Sequence, residues 1–213
     1  MREIRLAASV VGVRDTADGP EVLVIERSLD HRFLPGYVAF PGGAVEPGDA
    51  SLAARWFGDE REAGRAAAVR ELAEEVGLAI TADAVIATDP MGALEAIDAS
   101  PPPMNRLAQI AHWIAPEQVP VRFDARYYAV RIEDGDEPSP DGTEAAAAWW
   151  RSPRDILHAW ESGELLLYWP THFTMRALAA CGNADELSAL RIATREPRED
   201  ELGVLPRSVF YQD

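Results

Sequence analysis

Apolar residues fall into runs and alternations whose period changes several times along the chain, and each change marks an element. Residues 4–14 (IRLAASVVGVR) and 21–27 (EVLVIER) are β-branched runs separated by Asp18-Gly19-Pro20, the pattern of two strands joined as a hairpin. A polar loop, LDHRFLPGY, leads into Phe40-Pro41-Gly42-Gly43. Alanine, glutamate and arginine dominate 50–76, which predicts a short helix and then a long one, stopped by Gly77 as its C-cap. A short helix over 92–98 ends before Pro101-Pro102-Pro103, and strands follow at 107–115 and 123–132. The acid-rich segment 133–142 superficially suggests a calcium loop. Counted from Asp134, however, it has Ser139 at the glycine position and Ala145 at the last ligand position, so it reads as a solvated connection. A strand at 145–151, a helix over 154–162 opened by Ser152-Pro153, a helix over 171–181 and another at 184–194 precede a polar tail. Strands and helices mix without a regular β-α-β alternation and without repeats, so the class is α+β rather than a doubly wound sheet.

Composition narrows the function. With 213 residues, 47% of them hydrophobic, the chain reads as one domain over 1–182 followed by a C-terminal helix and tail over 183–213. Twenty basic against 36 acidic residues leave a net charge of −16, a field that repels nucleic acid polymers and anionic membranes and excludes both as partners of the whole body. All 20 basic residues are arginine. The absence of lysine removes a P-loop, Schiff-base chemistry and the protein kinase mechanism. Cys181 is the single cysteine, so no intrachain disulfide or cysteine-rich zinc site can form, and its apolar neighbours mark it as a small buried hydrophobe. The run Leu6 to Val13 is too short to span a membrane and has no small-residue cleavage site; a cytoplasmic location is expected.

The densest chemistry lies in Arg70-Glu71-Leu72-Ala73-Glu74-Glu75-Val76-Gly77-Leu78. At ~100° per residue, Arg70, Glu71, Glu74 and Glu75 share one helix face, while Val69, Leu72, Ala73 and Val76 share the other. Three adjacent carboxylates repel one another at i,i+3 and i,i+4 spacings. Such a face is either solvated and partly neutralised by Arg70, or a set of hard oxygen ligands for Mg2+ or Mn2+.

The segment resembles the signature of the Nudix hydrolases, Gly-x5-Glu-x7-Arg-Glu-U-x-Glu-Glu-x-Gly-U with U aliphatic. Arg70, Glu71, Glu74, Glu75 and Gly77 match its second half, Leu72 and Leu78 match the aliphatic positions, and Gly43 begins the first half after Phe40-Pro41-Gly42. The chain departs from the pattern at two points: Asp49 stands where the family has glutamate, and an insertion at about 50–62 places Arg70 well beyond the usual spacing, so the box runs over 43–78. Glu62, eight residues before Arg70, competes with Asp49 for the first acidic position. A second resemblance is to the coenzyme A diphosphatase-like branch, through LVIERSLDHRFLPGYVAFPGG, Arg122-Phe123-Asp124, Tyr127-Tyr128 and Tyr168-Trp169-Pro170-Thr171.

These resemblances imply an α/β/α sandwich with a mixed sheet between helices, and a metal-dependent pyrophosphohydrolase. They carry over Glu71, Glu74 and Glu75 as ligands of Mg2+ or Mn2+, with Gly43 as a further ligand through its carbonyl. Glu75 and Glu144 are implied as alternatives for the general base. Arg27, Arg32 and Arg122, with Phe40 and Gly42, are the substrate-binding candidates, since guanidinium pairs bidentately with phosphate. Arg70 and Gly77 are structural; Phe33, Tyr37 and Trp150 are either adenine-stacking rings or core. The implied substrate is coenzyme A or an acyl derivative, with ADP-ribose, an NDP-sugar, a dinucleotide or an NTP as alternatives, and a non-catalytic ligand sensor as a third reading. Many members of the family are homodimers.

Overall fold

A computed structural model of the protein describes residues 4–30, 33–117, 122–133 and 135–194. The predicted hairpin is β1 (Ile4–Thr16) with β2 (Gly19–Arg27), antiparallel with Val13 opposite Val22. Two short strands flank Phe40-Pro41: β3 (Tyr37–Ala39), paired with β2, and β4 (Gly42–Ala44), paired with β1. Helix α1 (Asp49–Phe57), a 3-10 turn at Glu60–Glu62 and helix α2 (Ala63–Val76) follow, then the ribbon β5 (Leu78–Ile80) with β6 (Val85–Ala87), and α3 (Pro90–Ala99). The rest of the chain supplies β7 (Ala108–Ile114), β8 (Arg122–Arg131), β9 (Ala145–Arg151), α4 (Pro153–Glu161), β10 (Leu166–Leu167), α5 (Trp169–Leu178) and α6 (Ala184–Ala189).

The main sheet runs β10-β3-β2-β1-β8-β7, with β4 also on β1 and β9 also on β2. It is mixed, because β1 and β8 pair in parallel from Ile4 opposite Arg122 to Val13 opposite Arg131. Side chains alternate across its faces. Val10, Leu23 and Tyr128 pack on one side with Val69 and Leu72 of α2, whereas Val11, Val24 and Tyr127 pack on the other with Trp169 and Phe173 of α5. The result is the expected sheet between two helical layers.

The bounds of the last two helices change. The helix expected over 171–181 starts at Trp169, because Pro170 fits a first turn whose N–H groups lack partners anyway, and it ends at Leu178; Cys181 lies beyond it, half-buried. The helix expected over 184–194 stops at Ala189, after which the Ile192 N–H donates to the Ile110 carbonyl (2.7 Å). Ala184 and Leu187 of that helix are buried in the same core as Trp169 and Phe173, so α6 belongs to the outer layer of the domain. Among the described residues no helix is long and apolar enough to cross a membrane.

Gly77 closes α2 in the left-handed conformation (φ 64°), its N–H donating to Ala73 at 3.0 Å. A Cβ there would run into the Thr88 carbonyl oxygen. Gly77→Ala is therefore expected to lower the unfolding free energy by at least ~1–2 kcal/mol, the left-handed cost for a residue with a Cβ, as read from urea denaturation.

Candidate active site

Helix α2 is alanine-rich toward its start, so it lies close to α1 and to the sheet, with Ala66, Ala67, Ala68 and Val69 all buried. Its acidic face does not point to open solvent: Glu71 is 8% and Glu75 2% exposed. Both are held by the segment that begins the box. The Gly42 N–H donates to Glu75 Oε2 at 2.7 Å, and Gly43 lies so close that a Cβ on it would occupy the position of the Glu71 carboxylate. Arg70 forms a fork on the same face. Its Nε and Nη2 donate to Asp49 (2.9 and 3.1 Å), and its Nη1 lies 2.7 Å from Glu74 and 3.0 Å from Glu71. Asp49 is 1% exposed and also accepts from the Glu46 N–H (2.7 Å), so it holds the start of α1 against α2. Glu62 instead pairs with Arg65 (3.0 Å), away from this network.

The third acid comes from far along the chain. The last turn of a helix leaves carbonyls without intrahelical partners; in α2 those of Val76 and Glu75 accept from the Ser139 and Asp141 N–H groups (2.8 and 2.9 Å). The acid-rich loop thus docks on the helix end. Its exit is fixed to β2, where the Glu144 carbonyl accepts from Ser28 at 2.9 Å and Arg27 stands opposite Ala145. Glu71, Glu75 and Glu144 each offer a carboxylate oxygen within 4.8 Å of the others, a group able to hold a metal ion.

Electrostatics fit that use. Burial first, and then the neighbouring carboxylates, push Glu71 up to about 7 and Glu75 up to about 8, with Arg70 restraining the first. Glu75 Oε1 is buried without a hydrogen-bond partner. An orphaned carboxylate oxygen, a glycine that leaves room for a carboxylate, and an all-oxygen donor set suit a hard divalent cation. Arg27, whose Nε donates to the Phe33 carbonyl (3.1 Å), stands in the field of Glu75, Glu144 and Glu71; burial outweighs them and lowers its pKa.

These groups line a cavity of about 480 Å³. Part of its lining is aromatic. Phe33 meets Phe123 and Tyr168 edge-on, with centroids at 5.4 and 5.8 Å, and Tyr37 joins them in the lining. Phe40 also lines the cavity, although it is 2% exposed and packed against Tyr127.

Several residues grouped by sequence are separated by the fold. Arg122 is not among the residues lining the cavity. It is out of phase with Phe123, Ala125 and Tyr127, which are, and its Nε donates to the Ala115 carbonyl (3.1 Å). Trp150 lies on the other side of β9, under the Arg14 guanidinium at 4.4 Å. Gly42 spends its N–H on Glu75, and Glu74 lines the cavity while paired to Arg70. Arg32 lies outside the described residues. Sequence reasoning passed over Asp141, which also lines the cavity; the signal present was an Asp followed by Gly-Thr, a side chain suited to bonding its own turn.

Residues 3–168 match the NUDIX domain family model. A NUDIX hydrolase from Alicyclobacillus acidocaldarius superposes with a TM-score of 0.77 at 34% identity, covering 91% of this chain and 99% of that one. A Caenorhabditis elegans protein named "Putative nudix hydrolase 7" is 30% identical over 194 residues, 82% of this chain; the chain spans 60% of that relative's length. The C. elegans Ap4A hydrolase binary complex, at 17% identity and a TM-score of 0.50 over 83% of this chain and 96% of that one, shares the fold.

Proposed function

The chain belongs to the NUDIX domain family, and from that premise we propose that it hydrolyses the diphosphate linkage of a nucleoside diphosphate derivative, with coenzyme A or an acyl derivative as first choice, giving adenosine 3′,5′-bisphosphate and 4′-phosphopantetheine. The observation that carries the reading is the convergence of Glu71, Glu75 and Glu144 in a cavity that is also lined by aromatic rings. Mg2+ or Mn2+, when bound, supplies a lowered pKa for an attacking water and neutralises charge on the bridging phosphate oxygens. Glu71, Glu75 and Glu144 would hold the cation, with Glu74 and the Gly43 carbonyl as further ligands, and Glu75 or Glu144 would accept the proton of the water. Arg70 keeps Glu74 and Asp49 in place and so fixes α2 against α1. Arg27, which lines the cavity, is the guanidinium we assign to the substrate phosphates.

Support for the coenzyme A choice comes from three separate segments. Phe33, Phe123 and Tyr168 belong to the stretches that resemble the coenzyme A diphosphatase-like branch, and they meet on one wall. That wall offers an apolar surface to the part of the substrate beyond the diphosphate. The test is hydrolysis by the purified protein with Mg2+ or Mn2+ of coenzyme A, an acyl derivative, ADP-ribose, NADH and nucleoside triphosphates. Fastest turnover is expected for coenzyme A or its acyl derivative, with adenosine 3′,5′-bisphosphate as product. Turnover of ADP-ribose alone would refute the substrate and leave the chemistry standing; binding without turnover of any compound would establish a ligand sensor instead.

A further inference from the structure

Glu144 is exposed and stands one residue before β9. The segment before it is organised around one residue. Asp141 Oδ1 accepts from the Ala145 N–H (2.9 Å) and the Glu144 N–H (3.1 Å), and Oδ2 accepts from Glu144 again (3.1 Å) and from the Thr143 hydroxyl. Its own N–H donates to the Glu75 carbonyl at 2.9 Å. Asp141 is thus bonded at its backbone to one member of the cluster, Glu75, and at its carboxylate to another, Glu144.

We propose that Asp141 is a positioning residue for the carboxylate cluster: it couples the end of α2 to the turn at 142–144 and thereby sets Glu144 against Glu71 and Glu75. The inference rests on the reading of these acids as a cation site. The physical argument is one of repulsion. Two buried carboxylates repel a third on an exposed turn, which favours the freedom to move away from them. Fixing its backbone on both sides, through Asp141 on the helix side and through the Ser28 bond to the Glu144 carbonyl on the sheet side, removes most of that freedom before any cation arrives. Orienting partners of this kind typically alter metal affinity or activity by roughly 10–100-fold.

The experiment is a calorimetric titration of Mn2+ into the full chain and into Asp141→Ala, Asp141→Asn, Asp141→Glu, Glu144→Gln and the Asp141→Ala/Glu144→Gln double variant, with hydrolysis and melting followed in parallel. Asp141→Ala is expected to weaken Mn2+ binding by roughly 10–100-fold. Asp141→Asn, which keeps an acceptor for the Glu144 and Ala145 N–H groups, loses only a few-fold. Asp141→Glu keeps the charge but displaces the acceptor by a methylene, and falls with alanine. The double variant binds no worse than Glu144→Gln alone, because Asp141 acts through Glu144. Wild-type Mn2+ affinity in Asp141→Ala, or losses that add in the double variant, overturns the proposal. Intact Mn2+ binding without hydrolysis of any diphosphate overturns the enzymatic reading while the coupling is still read from the affinities; a wild-type chain that binds no Mn2+ overturns both.

Discussion

Glu75→Gln is expected to lower diphosphate hydrolysis by roughly 10²–10⁴-fold, the range for losing a proton-transferring group, while making the metal-free protein more resistant to heat. The two effects share one cause. Glu75 is 2% exposed, with one oxygen bound to the Gly42 N–H and the other without a partner. Its charged form is penalised by burial and by Glu71, which is why its pKa is pushed up to about 8. A glutamine oxygen can still accept from Gly42, so the fold keeps its hydrogen bond and loses the repulsion. The lost negative oxygen is the one that would hold a cation or accept a proton. Rates measured at saturating Mn2+, beside melting curves in EDTA at pH 8, read both halves. Unchanged turnover would remove Glu75 from the chemistry; an equal fall in melting temperature and activity would reduce its part to packing.

The second large effect is a pH-dependent stability that a divalent cation reverses. Glu71 and Glu75 titrate in the folded protein at about 7 and about 8, above their ordinary value of 4.5. Between those limits the folded state binds more protons than the unfolded chain, so unfolding stability falls as pH rises. Their contribution is fully present below about 4.5 and is lost as pH passes through about 7 and about 8. In EDTA the melting temperature is therefore expected to drop from pH 6 to pH 9, by an amount corresponding to a few kcal/mol at about 1.4 kcal/mol per pKa unit. Mn2+ binds the ionised carboxylates of the folded state alone, so the stabilisation it gives grows over the same interval. Glu75→Gln should flatten the EDTA profile, separating this pair from the self-repulsion of a chain of net charge −16. A melting temperature that rises with pH in EDTA, or a Mn2+ effect independent of pH, would refute the assignment.

Much of this site was legible before the fold was known. The signature from Arg70 to Leu78 lies on one helix, and helical periodicity alone places its acids on one face and its aliphatic residues on the other. Gly77 as the helix stop and the β1-β2 hairpin, whose turn the structure places at Ala17-Asp18 with Gly19 and Pro20 already in β2, are local backbone decisions of the same kind. Arg122 shows what such reading leaves open. Its neighbour Phe123 reaches the cavity and Arg122 does not, because the pleat sends successive side chains to opposite faces and the sequence did not say which face β8 turns toward the site. The choice between Asp49 and Glu62 was equally open: spacing favoured neither, whereas the fold gives Asp49 to Arg70 and Glu62 to Arg65.

The sequence by itself determined the first hairpin, the helices and the longer strands, the mixed α+β class and a helix bearing three carboxylates beside an arginine. Only the tertiary structure decided which carboxylates lie together. Glu74 is adjacent to its partners in the chain, yet its charge is shared with Arg70; Glu144 is remote, yet it completes the cluster, because β9 pairs with β2 and the loop before it docks on the last carbonyls of α2. Desolvation follows the same logic. A carboxylate is costly only once neighbouring elements have removed its water, and that depends on packing between layers, which no periodicity along a single helix records.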